Sequence, residues 1–92
     1  GITTYALTPD YPEAREYAKD GTDEAMKFNR VFMPVDAYSG KVEIDVYGNK
    51  VAFIAFGETE MATVISSPAI SDAMRQILKI MRDFYSQNYP QA

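Results

Sequence analysis

The most restrictive feature of the sequence is a pair of strand-like segments separated by two turn residues. Residues 41–47 alternate between polar and apolar side chains, and residues 50–56 are apolar almost throughout. The Gly48-Asn49 pair between them suits a two-residue hairpin loop, whose backbone needs positive φ angles. The pattern predicts an antiparallel hairpin. Its first strand is expected to have one buried and one solvated face, and its second strand to be covered on both faces.

Further elements are predicted on either side of this hairpin. Short runs rich in β-branched and aromatic side chains predict three more strands, at residues 2–8, 30–35 and 61–65. Asp10 and Glu13 have the spacing of a capping box and predict a helix of about three turns, which Gly21 ends. The pattern of residues 22–28 fits either a helical turn or a loop.

The C-terminal third of the sequence predicts a long amphipathic helix. Ser67 supplies a capping hydroxyl, and Pro68 suits the first helical position. Apolar side chains then recur at intervals of three or four residues, at Ile70, Met74, Ile77, Leu78, Met81 and Phe84 or Tyr85. We expect a helix of about five turns that covers the sheet with these side chains and ends before Pro90.

In chain order these elements give β-α-β-β-β-β-α. This order predicts the α+β class, with a mostly antiparallel sheet, two helices and the long C-terminal helix packed on the sheet. A chain of 92 residues has room for one hydrophobic core. We therefore expect a single domain.

Two residue types that carry much of enzyme chemistry are missing. The sequence has no histidine and no cysteine, which excludes His-based triads, thiolate catalysis and disulfides, and most structural zinc sites. The net charge of −4 repels phosphate backbones. We expect no catalytic residue, no metal and no cofactor, and no direct contact with nucleic acid.

Hydropathy gives no indication of a membrane protein. No apolar run approaches the ~18 residues that a membrane-spanning helix needs, and the first residues lack the basic and apolar pattern of a secretion signal. We expect a cytoplasmic protein without membrane contact.

Four residues are the candidates for ligand contacts. Glu43 and Asp45 share one strand face, about 7 Å apart for a rise of ~3.3 Å per residue, where they suit acid-base chemistry, a metal or simply a solvated face. Tyr47 lies on the same face and can pack its ring while its hydroxyl faces a cavity. Arg30 precedes an apolar strand, where a guanidinium either clamps an anionic ligand or forms a buried ion pair.

The segment from Val46 to Met81 resembles a known pattern. A strand ending VYGNKVAFIAF is followed by a strand ATVISS and a helix opening PAISDAMRQILKIM. Together these segments resemble the C-terminal domain of TrmB-like transcriptional regulators, over residues 30–84. The resemblance implies a phospholipase D-like fold without its catalytic motif, a role in sensing sugars or other effectors, and a contribution to dimerisation.

On this resemblance, residues 1–92 are expected to be a single regulatory, effector-binding domain of a winged-helix regulator and a fragment of a longer chain. Its expected partners are a small-molecule effector and a second copy of itself, with DNA reached only through a separate domain. Two alternatives stay open. One is a metal-dependent hydrolase-like fragment that uses Glu43, Asp45, Glu58 and Glu60; the other is a purely structural homodimerisation domain.

Overall fold

The computed structural model describes residues 2–18, 27–57 and 60–91. These residues form β1 (Thr4–Pro9), α1 (Pro12–Ala18), β2 (Phe28–Met33), β3 (Val42–Tyr47), β4 (Lys50–Ala55), β5 (Met61–Ser66) and α2 (Pro68–Asn88). The predicted α+β class and element order are confirmed. Among these residues, no helix combines the length and the apolar character that crossing a membrane requires.

The strands form one sheet in the spatial order β2-β1-β3-β4-β5. β1 and β2 run parallel, and the other neighbouring strands are antiparallel. The predicted hairpin is confirmed, because Tyr47 pairs with Lys50 and Gly48 at the turn has a φ of 55°. β5 continues it into a meander.

The first helix is shorter than its pattern predicts. α1 has seven residues, which is about two turns. The predicted helix end at Gly21 lies outside the described residues. The sequence pattern of residues 22–28 fits either a helical turn or a loop. Residues 22–26 also lie outside the described residues, and Phe28 begins β2.

The predicted start of α2 is confirmed. The Ser67 hydroxyl accepts a hydrogen bond from the Ile70 backbone N–H at 3.2 Å, and Pro68 occupies the first turn. The helix runs for 21 residues, past the expected five turns, and ends at Asn88. Pro90 follows two residues later, where its ring prevents the helix from continuing.

One face of the sheet, the core face, carries the hydrophobic core. Its buried side chains are Leu7, Val31, Met33, Val46 and Val51 from the sheet and Leu78 from α2. α2 begins beside the hairpin turn, where the Ser67 N–H donates to the Asn49 carbonyl. Beyond its other end, the Gln91 side chain bonds both backbone groups of Phe32 on β2. The helix therefore crosses the sheet from the β4 side to the β2 edge.

The apolar pattern predicted for α2 is only partly a core pattern. The side chains that pack on the core are Met74, Leu78, Met81 and Tyr85. The expectation that the others also cover the sheet is wrong, because Ile70, Ile77 and Phe84 are 44%, 46% and 55% exposed. Successive helical residues are ~100° apart, so these three side chains lie on a flank of the helix and not beneath it.

The opposite face of the sheet, the polar face, carries Thr8, Arg30, Glu43 and Asp45. Asp45 is 6% exposed and Glu43 is half-buried, so the predicted solvated face of β3 is wrong. The reason is topological: β1 and β2 are parallel, and the connection between parallel strands must cross one face of the sheet. α1 lies on that connection, against the polar face.

β4 is covered on both faces, as predicted, over its first half. Val51 on the core face is fully buried, and Ala52 on the polar face is 6% exposed. The second half of the strand is half-buried.

A polar network ties the start of α1 to the C-terminal segment. Arg15 donates from Nε to Asp10 Oδ1 at 2.6 Å, and also to the backbone carbonyls of Pro90 and Gln91, at 2.8 and 2.5 Å. The Tyr89 hydroxyl donates to the other Asp10 oxygen. The hydrogen bond from Arg15 is the main reason that the pKa of Asp10 lies below its ordinary value.

This network predicts acid sensitivity. The pKa of Asp10 is lower in the folded than in the unfolded chain, so its stabilisation is complete above the ordinary value of 3.8 and is lost as the pH falls through the folded value. Asp10→Asn is expected to lower the free energy of unfolding by ~0.5–1 kcal/mol at pH 7. Urea unfolding from pH 7 to pH 2 measures this, and the gap between variant and wild type must close at the acid end. Asp83→Asn, which breaks an exposed pair with Lys79, is the control.

Candidate functional site

A cleft of about 400 Å³ lies on the polar face, between α1 and the sheet. Its charged lining residues are Glu13, Arg30, Glu43, Asp45 and Glu60. Its apolar wall comes from Phe28, Ile54 and Phe56, among others. The sheet register explains this grouping, because neighbouring strands turn every second side chain to the same face.

Arg30 and Glu43 form an ion pair at the base of this cleft. Arg30 Nη1 lies 2.5 Å from Glu43 Oε1, and the two side chains are 4% and 16% exposed. Thr8, on the strand between them, bonds to both: its hydroxyl donates to Glu43 Oε1 at 2.9 Å and accepts from Arg30 Nη1 at 2.7 Å. The Arg30 guanidinium also lies 5.3 Å from the centre of the Phe28 ring. Three adjacent strands thus share one charged cluster.

The geometry favours the buried-pair interpretation of Arg30. An anion-binding guanidinium has to present its N–H groups to the ligand, and this side chain is almost entirely enclosed. A ligand that took the place of Glu43 would leave a carboxylate with little solvent, which is costly. A ligand contact at Arg30 stays a prediction.

The structure brings three of the four predicted residues into the cleft. Asp45 lines it beside the ion pair, on the same face of β3 as Glu43. Tyr47 shares that face but lies at the turn end of β3, where it pairs with Lys50 and is not among the lining residues. The predicted ligand contacts are therefore grouped around Arg30, Glu43 and Asp45.

Sequence reasoning missed Thr8 and Phe28. Thr8 is fully buried and holds the ion pair together, although a threonine at the end of a short strand gives no special signal. Its role depends on the pairing of β1 with both β2 and β3, in which Ala6 lies opposite Arg30 on one side and Asp45 on the other. Thr8 can be placed between the two charges only when that register is known.

The acidic residues of the hydrolase alternative are only partly described. Glu60 lines the cleft, and Glu58 lies outside the described residues. Within residues 2–18, 27–57 and 60–91, no three acidic side chains lie close enough together to hold a metal ion.

A second candidate surface runs along α2. The α2 flank consists of Ile70, Ala73, Ile77, Ile80 and Phe84. Its four large side chains are between 44% and 65% exposed. The intervals of three, four, three and four residues are those of a helix seam that packs against another helix. No charged residue interrupts this stripe.

Comparisons with known proteins give the chain no relative. No family model, no curated protein and no solved structure matches it. The resemblance to TrmB-like regulators therefore stays a prediction.

The edge strand β5 adds a further exposed apolar area. Met61 is 63% exposed and Val64 is 53% exposed, and the strand contains no charged residue. A bare edge of this kind can pair with a strand of another chain. β5 and the α2 flank are therefore competing surfaces for contact between copies.

Proposed function

We propose that this chain is a non-catalytic regulatory domain of a winged-helix transcriptional regulator, which pairs with a second copy of itself and senses a small molecule. The α2 flank is the observation that supports this proposal most directly. Exposed large apolar side chains are common one at a time on protein surfaces, whereas a contiguous stripe marks an interaction site.

The stripe suits a second copy of the same helix. Its heptad-like spacing lets it pack on an equivalent helix, and a twofold axis beside Gln76 makes the contact self-complementary. In an antiparallel pair, Gln76 at the rim faces its own copy and Asp83 faces Ala69 of the other. No like charges then meet, so the surface does not require an oppositely charged partner.

The size of the stripe fits a dimer interface. Four large apolar side chains with about half of their surface exposed present on the order of 400 Å², within the range of patches that mark binding sites. The stripe alone supplies about half of the ~800 Å² that a standard interface buries per partner, and the polar residues along its rim must supply the rest.

The regulatory part of the proposal draws on the sequence. The TrmB-like resemblance suggests a domain that reads an effector and passes the result to a DNA-binding domain. The net charge of −4 agrees with DNA contact through another domain. The polar cleft offers a place for a ligand of a few hundred cubic ångströms.

Sedimentation velocity over a thousandfold range of concentration tests the self-association. We expect the weight-average sedimentation coefficient to rise from the monomer value to the dimer value and then to level off, because a twofold contact closes on itself. A monomer at millimolar concentration would exclude the dimer. A coefficient that kept rising would point to open-ended pairing through the β5 edge.

Thermal unfolding with a panel of sugars and polyanions tests sensing at the polar cleft. A ligand that binds the folded state raises the Tm, by an amount that grows with its concentration. Glu60→Gln, at the exposed rim of the cleft, is expected to reduce that rise, and Tyr47→Phe, outside the cleft, to leave it unchanged. A flat Tm across the panel would remove sensing at this cleft and leave self-association untouched.

A further inference from the structure

A second cleft, of about 310 Å³, opens on the core side between α2 and the turn after β2. Met33 from the sheet and Met74 and Met81 from the helix line it, and Tyr38 and Ile77 flank its mouth. None of the lining residues that the structure describes carries a charge. Its chemistry is therefore opposite to that of the polar cleft.

The size and lining of this apolar cleft suit a bound molecule. Pockets for small ligands begin at about 300 Å³ and are lined mainly by apolar and aromatic side chains. Three methionines allow the walls to adapt to the shape of an occupant.

Besides Tyr85, one further described residue with a polar side chain lines this cleft, namely Tyr38. Its hydroxyl donates to the Val42 carbonyl at 2.6 Å, which leaves its oxygen lone pairs available to accept a hydrogen bond. Burial raises the pKa of Tyr38, which keeps the hydroxyl neutral around pH 7. A matching ligand has an apolar body and one donor group for the Tyr38 oxygen.

We propose that the apolar cleft binds a small uncharged molecule, of one or two rings or a short alkyl chain with a single hydroxyl or N–H group, and that it is an effector site distinct from the polar cleft. The assignment rests on the proposed sensing role. The cleft is lined by residues of one copy, and Ile77 belongs both to its lining and to the α2 flank.

Methyl NMR of ¹³C-labelled methionine, with indole and 1-octanol as probes, tests this proposal. We expect saturable shifts of the Met33, Met74 and Met81 methyl signals with either probe. The methyl signal of Met61 on β5, a residue that is 63% exposed, should not shift. Indole-3-carboxylate, which adds a charge to the same ring system, should shift none of the three.

Two matched substitutions locate the binding. Ala37→Trp fills the mouth of the cleft from an exposed position and is expected to weaken indole binding at least tenfold. Ser39→Trp, an equally large change at an exposed residue that does not line the cleft, should leave the affinity unchanged. Equal affinity in both variants, shifts that include Met61, or no shift with either probe would overturn the proposal.

The same titration on Ile80→Glu separates this proposal from self-association. Ile80 does not line the cleft, so a monomeric variant should bind indole at least as tightly as the wild type, in which the proposed partner helix covers Ile77. If the chain dimerised but bound neither probe, the proposal for the apolar cleft would fail and the proposed dimer would stand. If the chain bound indole but stayed a monomer at every concentration, the proposal for the apolar cleft would stand and the proposed dimer would fail.

Discussion

Replacing Arg30 with methionine is expected to lower the free energy of unfolding by about 3 kcal/mol, because Glu43 would be left as a buried charge without its main counter-ion. The guanidinium lies 2.5 Å from Glu43 Oε1 in a nearly closed environment. The Thr8 hydroxyl also loses the hydrogen bond that it accepts from Arg30 Nη1. For a domain of this size the change corresponds to a fall in Tm of roughly 10–25 °C.

The double variant Arg30→Met with Glu43→Leu distinguishes the loss of a partner from the loss of the pair. When both charges are replaced by apolar side chains of similar volume, stability often returns, and we expect the double variant to come within ~1 kcal/mol of the wild type. Lys79→Met is the control, because both side chains of the Lys79–Asp83 ion pair are exposed. It should cost no more than ~0.5 kcal/mol.

Urea unfolding, followed by circular dichroism, measures all three variants. A loss below ~1 kcal/mol in Arg30→Met would show that the ion pair contributes little to the fold. That outcome would favour the anion-binding interpretation of Arg30 over the structural one.

Ile80→Glu is expected to weaken self-association at least a hundredfold. Ile80 is 65% exposed in the single chain, so folding gains little from it, whereas the proposed twofold contact would bury it in both copies. The substitution places two carboxylates in an apolar interface, where charges are costly without partners. The Tm measured at concentrations below the dimer range should stay within a few degrees of the wild-type value.

Lys79→Glu is the control for this prediction, and it changes the net charge by −2, more than the −1 of Ile80→Glu. It introduces the same side chain one position earlier, on the side of the helix away from the flank, and its position is also largely exposed. Sedimentation equilibrium should give a wild-type dissociation constant for Lys79→Glu. If both variants weakened the dimer equally, net charge and not the flank would account for the effect.

The meander was predictable because its signals are local. The Gly48-Asn49 turn fixes the register of β3 against β4, and both strands carry their own apolar pattern. Ser67 and Pro68 likewise place the start of α2 within a single turn. Each of these features depends on residues a few positions apart, which a sequence displays directly.

The polar face was not predictable for the opposite reason. Alternation on β3 shows that Glu43 and Asp45 share a face, but whether that face meets solvent depends on the chain that crosses from β1 to β2. The Arg30–Glu43 pair spans three strands, and its geometry follows from a register that no local pattern encodes. The residue types were visible in the sequence, and their proximity was not.

The α2 flank shows a further limit of periodicity. The apolar arc of this helix is wider than the strip that a flat sheet can cover, since it includes Leu78 in the core and Ile80 well outside it. Hydrophobic spacing alone treats core and interface positions alike, because both remove apolar surface from water. The structure shows which apolar positions of α2 are buried and which are exposed.

Contact between copies through the α2 flank is the central claim, and spin labelling tests it most directly. The chain contains no cysteine, so Gln76→Cys or Thr63→Cys carries a single label, beside the flank or on β5. Pulsed dipolar spectroscopy should give a short, well-defined distance between copies for the Gln76 label, because the axes of packed helices lie ~8–10 Å apart. The Thr63 label should give a longer distance. A short distance from β5 with none from α2, or no distance at either site, would contradict the claim.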